Sequence, residues 1–225
     1  PYAYFGLFTI QYFGGKQGKV FHDGIDGWAD AGLPIEKNPS TLPPVAVKLV
    51  PQPQLVVSNE EMRKLYNNKS VQVIDARTVN EYKGNDIRAI RGGHIPGALS
   101  IPYEQNWKDP QTASKLAKKE VKNNAGMSLK NKEELNQLYT NLDPNKETVV
   151  YCQSGVRASE TATVLQNLGF KKVKIYDSSW LGWASHLASP VADETYLNVG
   201  LMNARMSAMQ NKINELEAAL KASKN

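Results

Sequence analysis

Four short apolar runs punctuate the chain, at Val71–Ile74, Ala98–Ile101, Thr148–Tyr151 and Val173–Tyr176, with helically spaced stretches such as Glu133–Tyr139 and Ala158–Leu168 between them. Runs of this length suit strands, and strands alternating with helices predict an α/β fold with an open, largely parallel sheet flanked by helices. Ser58-Asn59-Glu60-Glu61 fits a capping box, so a helix carrying Met62 and Leu65 should open there. The lysine-rich segment from Lys115 to Lys132 has too few regularly spaced apolar residues for a core element and reads as a solvated helix and loop. Near the end, Val199, Met202, Met206, Met209, Ile213, Leu216 and Leu220 follow one another at steps of 3, 4, 3, 4, 3 and 4, an a/d seam over three heptads. This segment is either one amphipathic helix packed along its own chain or a coiled coil joining two chains.

Five prolines between Asn38 and Gln54 (Pro39, Pro43, Pro44, Pro51, Pro53) mark residues 38–54 as a semi-rigid linker, since proline supplies no backbone donor to a helix interior or central strand. Before it, Lys19-Val20-Phe21-His22-Asp23 with Gly27-Trp28-Ala29 resembles Lys172-Val173-Lys174-Ile175-Tyr176-Asp177 with Gly182-Trp183-Ala184. Upstream, Tyr12-Phe13-Gly14-Gly15 parallels Asn167-Leu168-Gly169-Phe170. Two copies of one unit are expected, residues 1–37 being the tail of a domain whose earlier, N-terminal part precedes Pro1. The complete domain should then occupy residues 55–192, and the heptad helix residues 193–225.

The composition, 41% hydrophobic and 22% charged, is that of a globular protein, and no run of eighteen apolar residues spans a bilayer. A net charge of +5 suits an anionic small molecule but lacks the clustered basic stripe of a nucleic-acid binder. One cysteine and three scattered histidines exclude an internal disulfide and give no zinc site of the usual ligand count, and no cofactor is implied.

That one cysteine, Cys152, ends the run Thr148–Tyr151 and is followed by Gln153-Ser154-Gly155-Val156-Arg157 and then a helical stretch. In an open parallel sheet this strand-to-helix junction, at the carboxyl edge, is where ligands bind. Backbone amides of a tight loop opening a helix favour negative charge at their focus, and Arg157 adds a full positive charge. Gly155 permits the backbone to wrap around one sulfur atom.

At these residues the chain resembles the rhodanese (sulfurtransferase) family, in which a C-x-x-G-x-R type loop cradles a cysteine that cycles through a persulfide. Val73-Ile74-Asp75-Ala76-Arg77 through Glu81-Tyr82 and Gly84 resembles the family's first strand and turn, and Gly93-His94-Ile95-Pro96-Gly97-Ala98 its second signature, so the resemblance covers about residues 55–185. Asp23-Gly24, Gly27-Trp28 and Ala31-Gly32-Leu33-Pro34 are similar to the end of another such domain, as in tandem members. The resemblance implies that Cys152 is the nucleophile, that the amides of Gln153, Ser154, Gly155, Val156 and Arg157 form the cradle, and that Arg157 stabilises persulfide and anion. It implies an anionic small-molecule sulfur donor, thiosulfate or 3-mercaptopyruvate, a thiol or cyanide acceptor, and, from exported tandem members, the periplasm rather than the cytoplasm.

Thiosulfate-preferring members often carry a basic residue two places after the cysteine, and mercaptopyruvate-preferring ones a serine there with glycine just before it; Gln153-Ser154 fits neither. Ser154 either hydrogen-bonds a donor carboxylate or relays a proton, or is a small loop residue that caps the next helix. Arg88 and Arg91 either bind the donor anion or form a solvated basic stretch; His94 either orders its turn or moves protons, and Asp75, Arg77 and Glu81 read as a structural ion pair. Trp180 and Trp183 wall the pocket or close a core. Two alternatives remain: a persulfide carrier or scaffold without efficient turnover, and a cysteine phosphatase or arsenate reductase. The latter usually places five residues between cysteine and arginine, and here there are four.

Overall fold

The computed structural model describes residues 1–222. Its centre is a five-stranded parallel sheet in the order β1 (Val56–Val57), β6 (Lys172–Tyr176), β5 (Glu147–Tyr151), β2 (Val71–Asp75), β4 (Leu99–Ser100). Each of the four apolar runs supplies one strand, and Val56–Val57 adds an edge. Along β5 the side chains alternate: Val150 and Cys152 join one buried cluster with Ile74, Ala158, Ala162 and Leu165, whereas Val149 and Tyr151 join another with Met62, Ile95, Trp180 and Trp183. Both sheet faces are therefore covered, which is why these strands read as continuous apolar runs.

The helices follow from local signals. Ser58 caps α3 (Asn59–Leu65), Thr78 caps α4 (Val79–Tyr82) and Asn131 caps α6 (Lys132–Leu138), each through a complete capping box with the glutamate three residues on. α7 (Val156–Asn167) leaves the end of β5, and α8 (Ser179–Ser185) the end of β6. The lysine-rich stretch holds only α5 (Thr112–Ala117) and a 3-10 turn at Ala125–Met127. Residues 38–52 form no helix or strand.

A second, antiparallel pair joins β3 (Arg91–His94) to β7 (Ala192–Tyr196). Residues 193–196 therefore pair with β3 of the preceding unit and precede the heptad helix, so the boundary expected at 192 falls inside β7. The heptad helix, α9, runs Val199–Ala222, and none of its residues is buried, so the reading in which it packs along its own chain is not what the structure holds.

At the other end, α1 (Tyr2–Tyr12) packs against α7, and Phe8 joins the Val150 cluster. α1 ends before Gly14 at φ +92° and α7 before Gly169 at φ +95°; α2 (Gly24–Asp30) carries Trp28 as α8 carries Trp183. The strand that the repeat predicts at Lys19–Phe21 is absent among the described residues, because no neighbouring strand is there to pair with it. His22 instead bridges the two parts, its ring nitrogens 2.9 Å from the Tyr4 hydroxyl and 2.7 Å from the Met127 carbonyl. Among the described residues, no helix is long and apolar enough to cross a membrane.

Candidate active site

The carboxyl ends of β2, β4, β5 and β6 converge on one place. Cys152 follows β5 directly and is buried. Gly155, at φ +83°, is the N-cap of α7, so four residues turn the chain from strand into helix. A Cβ at Gly155 would also stand 3.0 Å from Asp177 Oδ1 and 3.1 Å from the Asp177 carbonyl oxygen, tighter than a side chain readily tolerates. Ser154 is exposed and does not cap α7, against the capping role considered for it.

The loop is pinned from below by Ser179, a residue that sequence reasoning missed. Its hydroxyl accepts the amides of Cys152 at 3.1 Å and Gly155 at 3.0 Å and donates to the Tyr176 carbonyl at 2.8 Å. To do so Ser179 adopts φ +51°, a left-handed conformation that costs a non-glycine residue about 1 kcal/mol. One of the five expected cradle amides, that of Gly155, is thus already committed. Among the described residues, the amides of Gln153, Ser154, Val156 and Arg157 donate to no protein acceptor. Successive unsatisfied N–H groups at a loop entering a helix make an anion-binding concavity.

Arg157, in the first turn of α7, is gripped by Glu81, with Nη1 2.7 Å from Oε2 and Nη2 2.8 Å from Oε1. Burial by itself would raise the Glu81 carboxyl, but the hydrogen bonds and charge of Arg157, the Thr78 amide and the charge of Arg77 hold it down at about 2. Burial disfavours the Arg157 cation; Glu81, the nearby Cys152 and Glu104 more than compensate and raise it further. Both groups stay charged throughout the physiological range. Asp75 and Arg77 pair directly, Arg77 Nη2 lying 2.6 Å from Asp75 Oδ2, with the Arg77 guanidinium 4.4 Å from the Trp180 ring; Glu81 feels the charge of Arg77, but its hydrogen-bonded partner is Arg157. Trp180 and Trp183 are buried in the core.

Tyr103 and Glu104, just after β4, complete the surroundings of Arg157 and were also missed. The guanidinium lies 5.8 Å from the Tyr103 ring centre. Burial, with Glu104, Glu160 and Glu81 adding to it against the opposing pull of Arg157, pushes the Tyr103 hydroxyl up to about 12. Burial likewise raises the Glu104 carboxyl, and among the described residues its Oε2 has no hydrogen-bond partner. The signal that could have found Ser179, Tyr103 and Glu104 is their position, since each lies a few residues past the carboxyl end of a parallel strand, as Cys152 does.

The two arginines suggested for donor binding part ways. Arg88 is half-exposed, lies 3.4 Å from Glu81 Oε1, and through its carbonyl holds Gln153 Nε2 at 2.6 Å. Arg91 is buried: its guanidinium donates to the carbonyls of Ala184, His186 and Ser189 and to Glu194 Oε1. It stitches β7 and the α8 exit to β3, which corrects the expectation that it touches donor. His94 stacks on Tyr82 with ring centres 3.6 Å apart and lies 2.9 Å from the Tyr82 carbonyl, ordering its turn.

A strand-end cysteine at the start of a glycine-turned amide loop, with an arginine in the first turn of the helix that follows, thus stands at the carboxyl edge of an open five-stranded parallel sheet. Residues 58–186 match the model of the rhodanese-like domain, and the chain belongs to that family. It is similar to a thiosulfate sulfurtransferase of Corynebacterium glutamicum, 32% identical over 203 residues that cover 84% of this chain and 62% of the relative. It is also similar to the sulfur carrier protein TtuD of Thermus thermophilus, 28% identical over 85% of this chain and 67% of that one. The chain thus spans a little under two thirds of the C. glutamicum enzyme. Among solved structures, the anaerobic ergothioneine biosynthesis enzyme from Chlorobium limicola, in complex with trimethyl histidine, superimposes with a TM-score of 0.68. That match, at 22% identity, covers 84% of this chain and 44% of that one and shows the fold alone.

Proposed function

We propose that this chain is a sulfurtransferase that takes a sulfane sulfur from thiosulfate or 3-mercaptopyruvate and passes it to a thiol or cyanide through a persulfide on Cys152. The observation that carries the reading is the loop itself: Cys152 sits at its start, and the amides of Gln153, Ser154, Val156 and Arg157 have no protein acceptor among the described residues.

With thiosulfate, the Cys152 thiolate attacks the outer sulfur, a new S–S bond forms, and the old one breaks with its electron pair leaving on sulfite. The terminal persulfide sulfur carries negative charge, which the preorganised amides and Arg157 stabilise without reorganising. An acceptor thiolate or cyanide then attacks that outer sulfur and regenerates the Cys152 thiolate. Glu81 fixes the Arg157 fork, and Ser179 fixes the loop's two ends. Because Arg157 is already neutralised in part by Glu81, most of the affinity for an incoming dianion falls to the amides, with Arg88 at the rim.

Intact-protein mass spectrometry after exposure to each donor tests the proposal. A gain of one sulfur atom, reversed by cyanide and absent in Cys152→Ser, is expected, and the donor that loads faster is the preferred one. No gain with either donor would overturn it. The likeness to a protein named a sulfur carrier favours one second reading, in which Cys152 holds persulfide for another protein; it would show as complete loading with negligible turnover to cyanide.

A further inference from the structure

Helix α9 is the longest element among the described residues, about 36 Å at 1.5 Å per residue, and its apolar seam is open to solvent. Val199, Met202, Met206, Met209, Ile213 and Leu216 are each between 39% and 65% exposed. A continuous apolar stripe of this length is the mark of a surface made for a partner.

The identity of the partner follows from the positions around the seam. Val199, Met206 and Ile213 occupy a positions and Met202, Met209 and Leu216 occupy d positions. Val199 and Ile213 at a with Leu216 at d favour two parallel strands, because β-branched side chains fit the a layer of a dimer and γ-branched ones the d layer, while the unbranched Met202, Met206 and Met209 adapt to either layer. The flanking charges select the same arrangement. Arg205 and Lys212 fall at g, and Gln210 and Glu217 at e. In a parallel, in-register pair each g residue faces the e residue five places on in the other copy, which sets Lys212 against Glu217 twice. In an antiparallel pair g faces g, and the basic residues Arg205 and Lys212 of the two copies oppose each other. Lys212 touches Glu215 of its own helix at 2.9 Å and has ammonium donors left for a second carboxylate.

We propose that α9 binds α9 of a second copy of this chain as a parallel, in-register, two-stranded coiled coil. The coil leaves the catalytic unit with little slack. Only Leu197 and Asn198 separate it from β7, and Asn198 accepts the Leu201 amide at 2.9 Å, fixing the first turn. β7 is in turn held to β3 by Arg91 and Glu194. A parallel coil therefore places both Cys152 sites at one end of the assembly.

Cysteine cross-linking and light scattering test this. Cys152 is the chain's one cysteine, so in a Cys152→Ser background Met202→Cys and Met209→Cys each introduce a single thiol. Mild oxidation should give a covalent dimer at both positions, since equivalent d residues face each other in a parallel, in-register coil. An antiparallel pair brings at most one of the two into reach. In the protein with Cys152 intact, scattering should give twice the mass of one chain. Ile213→Lys should return it to that of a single chain while persulfide formation continues unchanged. Lys212→Glu should weaken the dimer, and Lys212→Glu combined with Glu217→Lys should restore it. A single-chain mass up to the millimolar range, or cross-linking at only one of the two positions, would overturn the proposal.

Discussion

The Glu81 carboxylate holds both terminal nitrogens of Arg157, at 2.7 and 2.8 Å, and thereby ties α4 to the first turn of α7 beside Cys152. Both side chains are largely buried, so neither can lose its partner cheaply. Removing one member of such a pair leaves a stranded charge and costs about 3 kcal/mol. Glu81→Gln should lower the unfolding free energy in urea by about that amount and, by letting Arg157 wander, slow sulfur transfer to Cys152 several-fold. Arg157→Lys keeps the charge and loses the fork, and should fall between parent and Glu81→Gln in stability. A Glu81→Gln protein as stable as the parent would show that the pair contributes nothing net.

The same carboxylate sets an acid limit. Its folded value, about 2, lies below the ordinary 4.5, so the unfolded chain binds this proton more readily than the folded one. The contribution is therefore complete above pH 4.5 and is lost as pH falls toward about 2. The stability gap between the parent and Glu81→Gln should be constant at neutral pH and close through that window. Urea midpoints measured across it provide the check, and parallel curves for the two proteins would contradict the assignment.

Ser179 is the acceptor shared by the Cys152 and Gly155 amides, and no other acceptor among the described residues serves them. In Ser179→Ala both amides are left buried without a partner, at about 1–3 kcal/mol each before the loop relaxes. Ser179→Gly loses the same hydroxyl but relieves the left-handed backbone at φ +51°, so it should be the more stable of the two variants. Both should load sulfur more slowly than the parent. If Ser179→Ala proves the more stable, the strain at this position is not real.

The residues legible in the sequence are those whose roles are set locally. The apolar runs that became β2, β4, β5 and β6 announced themselves because strands buried on both faces must be apolar, and the Ser58 cap because its partner lies three residues away. Cys152 and Gly155 stood out by chemistry and spacing. What was illegible depends on contacts distant along the chain. Arg157 meets Glu81 across 76 residues, and Ser179 meets Cys152 across 27. No local pattern distinguishes Arg88, half-exposed beside Glu81, from Arg91, buried under β7; a basic pair three residues apart reads the same for either outcome. β1 and β7 were missed because two-residue edges and polar ribbons such as Ala192–Tyr196 carry no apolar run.

Arg91 provides the sharpest contrast with the donor-binding role suggested by its sequence neighbourhood. Its guanidinium satisfies the carbonyls of Ala184 at 3.0 Å, His186 at 2.8 Å and Ser189 at 2.9 Å, and the Glu194 carboxylate at 2.7 Å. Lysine cannot serve three carbonyls and a carboxylate arranged around a planar fork, and methionine serves none. Arg91→Met should therefore cost about 3 kcal/mol or more and expose β7 to proteolysis. Persulfide formation in the fraction that remains folded should half-saturate at the parent's thiosulfate concentration. Arg88→Met should do the reverse, leaving stability within about 0.5 kcal/mol and raising the thiosulfate concentration needed, since that side chain is half-exposed beside the loop. Measured together, the two variants test whether Arg91 holds the fold and Arg88 meets the donor. An Arg91→Met protein of parental stability with weakened donor saturation would reverse the assignment.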